Sequence, residues 1–181
     1  MTDLYVSWSD YHQQIERLAA MIYQSEWQFN QIVCLARGGL RVGDLLSRIY
    51  GQPLAILATA SYGGIKGQTR EPLILSPTLT MTTPSLGSHV LLVDDLVDSG
   101  VTLDQTLAWL HQKYAVEIAE VRTAVLWYKA HSAITPTYFV DYLADNPWIH
   151  QPFEVYEQMK PIDLAANIDL RCISEPESPC K

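Results

Sequence analysis

The 181-residue chain predicts an α/β fold, an open, mainly parallel sheet flanked by helices. Three observations carry that expectation. Short unbroken apolar runs at 31–36 and 90–93 suit strands buried on both faces. Stretches of helical period alternate with them, and no repeat or linker interrupts the alternation. The runs at 31–36, 90–93 and 119–128 end in Gly, Asp or Lys, and in open parallel sheets the carboxyl ends of strands are where ligands bind.

Each element follows in order. Residues 10–27 place Tyr11, Ile15, Leu18, Ala19 and Ile22 at helical spacing, with Asp10 and Gln13 as a capping-box start. The run 31–36 is a buried strand that breaks at Arg37-Gly38-Gly39. A helix over 40–50 ends at Gly51, a residue suited to the left-handed position after a helix. A strand over 53–60 follows, then an aperiodic, glycine-bearing and partly basic loop over 61–72. Residues 77–88 read as a loop or hairpin. After them come a strand at 90–93, a helix over 101–114 with Leu103, Leu107 and Leu110 on one face, and strands at 119–128 and 138–143. Residues 1–173 form one domain in this reading, and the polar, proline-broken 174–181 is a disordered tail.

A net charge of −8 argues against a protein that coats nucleic acid, which needs a basic face, but leaves room for a small anionic ligand. Cys34, Cys172 and Cys180 are too scattered for a disulfide framework or a paired zinc site, and Cys34 reads as a small buried thiol. The five histidines make no ligand cluster. The first residues lack a signal-peptide pattern, and no apolar run nears the roughly 20 residues that span a bilayer. A reducing cytoplasm is the expected setting.

The densest chemistry lies at 90–102. A buried strand runs into Asp94 and Asp95, which its end places at the sheet's rim, where one can face ligand hydroxyls or a hydrated metal while the other anchors the loop. Asp98-Ser99-Gly100-Val101-Thr102 then leads into a helix. Gly100 allows close backbone approach, the first helical N–H groups are unsatisfied, and Ser99 and Thr102 add hydroxyls, which together make a monophosphate cradle. Asp98 is either the helix N-cap or a carboxylate kept there for chemistry. Neither a Walker-type loop nor a dinucleotide fingerprint is present.

Residues 90–102 resemble the 5-phosphoribosyl 1-diphosphate (PRPP) signature of the type I phosphoribosyltransferases. The likeness extends over 5–154 and is greatest to the bacterial xanthine–guanine and archaeal hypoxanthine–guanine enzymes. It implies that family's fold, with a small C-terminal hood over about 129–160. It implies Mg²⁺-dependent transfer of phosphoribose from PRPP to a 6-oxopurine. Ala36-Arg37-Gly38-Gly39 is similar to the diphosphate loop, the Arg37 side chain either helping or bracing it. Asp94 and Asp95 would serve ribose and metal, the metal mostly through water and PRPP, and Asp98 would be the general base. Ser61 and Tyr62, with Lys66 and Arg70, look like the flexible loop that closes over the site. Lys129 would donate to the 6-oxo group, Trp148 would stack on the base, and the Ile149 carbonyl would meet the purine C2 substituent.

Two departures stand out: Ala130 follows Lys129 where relatives usually carry proline, and 131–137 matches no motif. The family habit implies a dimer or tetramer. The rival reading is a regulator that keeps the PRPP fold to sense nucleotides, to which Asp98 and the hood would be superfluous. A pyrimidine or other acceptor is a third, disfavoured by Lys129 and Trp148.

Overall fold

The computed structural model describes residues 3–60 and 73–167. Its first helix begins from Ser7 rather than Asp10. The Asp10 N–H donates to Ser7 Oγ at 3.1 Å, and the Ser7 N–H donates back to Asp10 Oδ2 at 3.1 Å. The capping box is therefore Ser7-x-x-Asp10, with aspartate reaching back as glutamate ordinarily does. The Ser7 hydroxyl and amide together hold the Asp10 carboxyl below the ordinary carboxylate range. This helix, α1 (Trp8–Gln24), buries Tyr11, Ile15, Leu18, Ala19 and Ile22, the five positions marked by periodicity.

The main sheet holds β2 (Gln31–Ala36), β3 (Leu54–Ala60), β5 (His89–Val93), β7 (Glu120–Lys129) and β8 (Tyr138–Leu143), joined in parallel in the order β3-β2-β5-β7-β8. A short β4 (Ile74–Leu75) runs antiparallel on the β3 edge. Residues 77–88 form neither strand nor hairpin and touch the sheet through a bridge from Thr80 to Ile56. Strand alternation sorts the core into two layers. Ile32, Cys34, Leu91 and Val93 face α1 and α2 (Gly39–Tyr50), whereas Val33, Leu35, Val90 and Leu92 face α3 (Val101–Lys113). Each such side chain, fully buried, contributes roughly 1.5–3 kcal/mol. Cys34 lies within the first layer, and burial pushes its thiol up to about 12, which makes it an inert packing group. Helix α2 ends at Gly51 with φ 63°, as its sequence position predicts.

Several short elements go beyond the sequence reading. A two-residue strand, β6 (Leu96–Val97), lies inside the signature stretch and pairs with β7. Another, β1 (Leu4–Tyr5), pairs in parallel with β9 (Ile149–His150) to make a separate small sheet. Beyond them come a 3-10 turn at Glu154–Glu157 and α4 (Pro161–Asn167). Among the described residues no helix is long and apolar enough to cross a membrane.

Candidate active site

Strands β2 and β5 finish side by side, Cys34 opposite Val93, while β7, with Ala124 opposite Val93, runs on to Lys129. Past Val93 the chain does not leave the sheet. β6 resumes beside β7 in the register that β5 had, Leu96 opposite Trp127. The Asp94 N–H donates to Ala124 O at 3.1 Å, and the Asp95 carbonyl accepts from the Leu126 N–H at 3.0 Å. The acidic pair thus sits within the line of the strand, not past its end at the rim, and both residues are partly buried.

Each carboxylate has its own protein partners. Asp94 Oδ1 accepts from the Asp95 N–H at 3.0 Å. The Gly39 amide also faces the Asp94 carboxyl. Burial first, and the neighbouring Asp95 charge second, hold the Asp94 carboxyl well above the ordinary carboxylate range. Asp95 Oδ2 accepts from Gln151 Nε2 at 2.5 Å, so the buried glutamine that follows β9 fastens the second acid. A Cβ on Gly38 would collide with Asp95 Oδ1, and one on Gly39 would lie 2.5 Å from the Val93 carbonyl oxygen. Glycine at these positions lets the 36–39 loop close onto the acid pair.

On the other side of the acids, Gly100 is the N-cap of α3, with φ 84°. Asp98 is therefore not the helix cap, which removes the bland reading of that carboxylate. No side chain caps α3, so its first amides stay available to an anion, and the Ser99 and Thr102 hydroxyls bond no described residue. A turn after β7 braces this loop. The Ala133 N–H donates to the Ser99 carbonyl at 3.1 Å, and a Cβ on Gly100 would stand 2.5 Å from Ser132 Oγ and 2.6 Å from Ile134 Cγ2. Gly100→Ala, strained in φ and in space, should lower stability by about 1–3 kcal/mol. Thermal melting and a PRPP titration would check this: melting should fall and PRPP affinity with it.

Lys129 ends β7 and is only 6% exposed, so it is no surface lysine. Its Nζ lies 3.4 Å from Asp98 Oδ1, and the Nε2 of His131 reaches the same oxygen at 2.9 Å. Ala130 replaces the expected proline with a working donor: its N–H bonds the Leu143 carbonyl at 3.0 Å, which a proline could not do. The β7–β8 ladder holds this strand end where a ring would otherwise stiffen it.

A cavity of about 520 Å³ joins Ala36, Arg37 and Gly38 to Thr102, so the 36–39 loop and the start of α3 open onto one space. The Ala36–Arg37 peptide is cis. The Arg37 side chain is exposed and pairs with Glu157 at 3.6 Å, a contact that solvent leaves nearly neutral in energy. The guanidinium of Arg41 lines the same cavity and lies 4.2 Å from the Phe153 ring centre. Trp148 is 65% exposed, whereas Ile149 is buried. The ladder uses the Trp148 and His150 carbonyls, accepting from Leu4 and Val6, and leaves the Ile149 carbonyl on the opposite edge of β9.

The structure thus gathers Ala36, Arg37, Gly38, Gly39, Asp94, Asp95, Asp98, Ser99, Gly100, Val101, Thr102 and Lys129 around the ends of β2, β5 and β7. Trp148 and Ile149 stand on the β9 segment beyond them. Ser61, Tyr62, Lys66 and Arg70 lie outside the described residues, as does the 174–181 tail. Sequence reasoning missed His131, Gln151 and Arg41. The only signals were a lone histidine after Lys129, a polar residue in an apolar stretch and a helical arginine, none of which has a spacing to read.

Comparison with known proteins agrees with this geometry. The profile of the family described as "Phosphoribosyl transferase domain" matches residues 7–158. The chain is 37% identical over 98 residues to a xanthine-guanine phosphoribosyltransferase of Gluconobacter oxydans (strain 621H), covering 54% of this chain and 56% of that protein. It is 27% identical over 155 residues to the enzyme of the same name from Idiomarina loihiensis, covering 85% and 88%. Among solved structures, a purine phosphoribosyltransferase from Pyrococcus horikoshii Ot3 superposes with a TM-score of 0.67 at 26% identity, over 84% of this chain and 95% of that one. A match over most of the chain places the protein in the phosphoribosyl transferase domain family.

Proposed function

We propose that the protein is a purine phosphoribosyltransferase that moves the 5-phosphoribosyl group from PRPP to a 6-oxopurine and releases diphosphate. The observation that carries this reading is Asp98: an exposed carboxylate beside a phosphate cradle, not a helix cap, and paired with a buried lysine. A protein that only held PRPP would be weakened by that charge. The exposed Trp148 ring and the Ile149 carbonyl, which the β1–β9 ladder does not use, give the base a surface and an edge to meet.

The amides of Val101 and Thr102, with the Ser99 and Thr102 hydroxyls, hold the 5′-phosphate at the start of α3. Arg37 and Gly38 present their amides to the diphosphate, since the Gly39 amide faces Asp94. Asp94 and Asp95 take the ribose hydroxyls and the waters of a divalent ion. Their chemistry fits magnesium: two carboxylates, with no group of three or more His, Cys, Asp or Glu poised to hold a metal among the described residues, suit a hard ion carried largely by PRPP oxygens. Bound there, Mg²⁺ neutralises charge on the departing diphosphate. Lys129 donates to the 6-oxo group, and Asp98 accepts the proton from the purine's ring nitrogen.

Three scattered cysteines and the buried, inert Cys34 support a reducing cytoplasm as the setting, and the family habit supports a dimer or tetramer. The test is direct. Purified protein with PRPP and Mg²⁺ is offered guanine, xanthine, hypoxanthine, adenine, uracil and orotate in turn, and diphosphate release is followed. Turnover is expected with one or more 6-oxopurines and not with adenine. PRPP binding without turnover of any base would move the protein to the sensing class.

A further inference from the structure

We propose that His131 is a positioning residue for Asp98, holding one carboxylate oxygen so that the other faces the base. The proposal rests on the phosphoribosyl-transfer reading above. His131 Nε2 stands 2.9 Å from Asp98 Oδ1, closer than Lys129 Nζ at 3.4 Å to the same atom. A carboxylate oxygen only accepts, so the nitrogen facing it carries the proton. Oδ1 is thus the carboxylate oxygen nearest to both nitrogens, each within ion-pair distance.

Two demands on Lys129 conflict. It is the lysine that must reach the purine oxygen, and it is also one of the two groups that set the direction of Asp98. When a base arrives and draws Lys129 toward its oxygen, Asp98 loses that restraint at the moment it must accept a proton. At 56% side-chain exposure, packing alone does little to keep it in place. His131 supplies the missing restraint because the turn around it is fixed at three neighbouring amides. The Ala130 N–H bonds Leu143 O at 3.0 Å, Ser132 N–H bonds Lys129 O at 3.1 Å, and Ala133 N–H bonds Ser99 O at 3.1 Å. The last of these ties the His131 turn to the loop that bears Asp98, so donor and acceptor keep their separation.

The proton inventory is simple. The purine nitrogen gives its proton to Asp98 Oδ2, and its electron pair forms the bond to ribose C1. The C1–O bond breaks with its pair leaving on diphosphate. His131 exchanges no proton, and its contribution is orientation, of the kind that hydrogen-bonded partners give to working groups.

Steady-state kinetics with guanine and PRPP, run on the wild type, His131→Ala, His131→Gln, Asp98→Asn and the His131→Ala/Asp98→Asn double variant, tests this. His131→Ala should lower kcat about tenfold and leave the KM for PRPP within about twofold. Glutamine, whose amide nitrogen can stand in for Nε2, should recover most of that loss. In the Asp98→Asn background the alanine change should alter kcat by less than about twofold, because nothing remains to be aimed. An unchanged kcat in His131→Ala, an equal loss in both backgrounds, or no recovery with glutamine would each overturn the proposal. A wild type that turns over no 6-oxopurine is a different result, and it would remove the transferase reading on which the proposal stands.

Discussion

Asp98→Asn should lower kcat by about 10²-fold or more, the size of a lost general base. The substitution isolates basicity. An asparagine oxygen can still accept from His131 Nε2 and Lys129 Nζ, so the two contacts to Oδ1 keep their geometry. What disappears is the capacity to take a proton at the second position. The variant should therefore bind PRPP nearly as the wild type does and stall at glycosyl transfer, which a single-turnover measurement at saturating PRPP would resolve. A melting curve recorded alongside separates lost chemistry from lost fold, since Lys129 is buried and forfeits its counter-charge. A rate close to wild type would reduce Asp98 to a loop residue.

Asp94→Asn should move activity and stability in opposite directions. Burial and the Asp95 charge raise the Asp94 carboxyl, so the folded, ligand-free protein binds a proton more tightly than the unfolded chain does. The sign follows from that. Stability is fully present below the ordinary aspartate pKa and falls as pH rises from there through the raised folded value. An amide in its place carries no charge to desolvate and can still accept from the Asp95 N–H. Differential scanning calorimetry at neutral pH, without ligands, should show the variant melting about 2–4 °C higher, the effect of roughly 1 kcal/mol in a chain of this size. Its kcat/KM should fall about 10²-fold, because the carboxylate that faces the cationic sugar of the transition state has been replaced by a neutral amide. A variant that is both more stable and fully active would show that Asp94 serves neither.

The strands that position the site were plain in the sequence. β2 and β8 coincide with the apolar runs at 31–36 and 138–143 because breakers bound them on both sides. Gly51 and Gly100 occupy left-handed turns that their contexts announce. The capping of α1 was nearly legible. Ser7 and Asp10 have the right spacing, but a search for glutamate or glutamine at the third position passes over aspartate. Two kinds of feature stayed hidden. β1, β6 and β9 have two residues each, too few for any period to register, and each exists only because a partner strand lies alongside. His131 and Gln151 act on carboxylates far from them in the chain, and nothing local marks that. Fold and PRPP side were therefore read from pattern, while the braces behind Asp95 and Asp98 needed coordinates.

The pairing of β1 with β9 has a consequence for how the protein is made. Leu4 precedes every strand of the main sheet, yet its partner Ile149 is translated after all of them. The main sheet can therefore be complete on the nascent chain while residues 4–6 wait, their amides satisfied by water. Only when 149–151 arrive can Leu4 and Val6 find the Trp148 and His150 carbonyls and Gln151 close onto Asp95. The order of synthesis completes the main sheet first and the β1–β9 sheet last, in one closing step that joins residues 4–6 to residues 148–151.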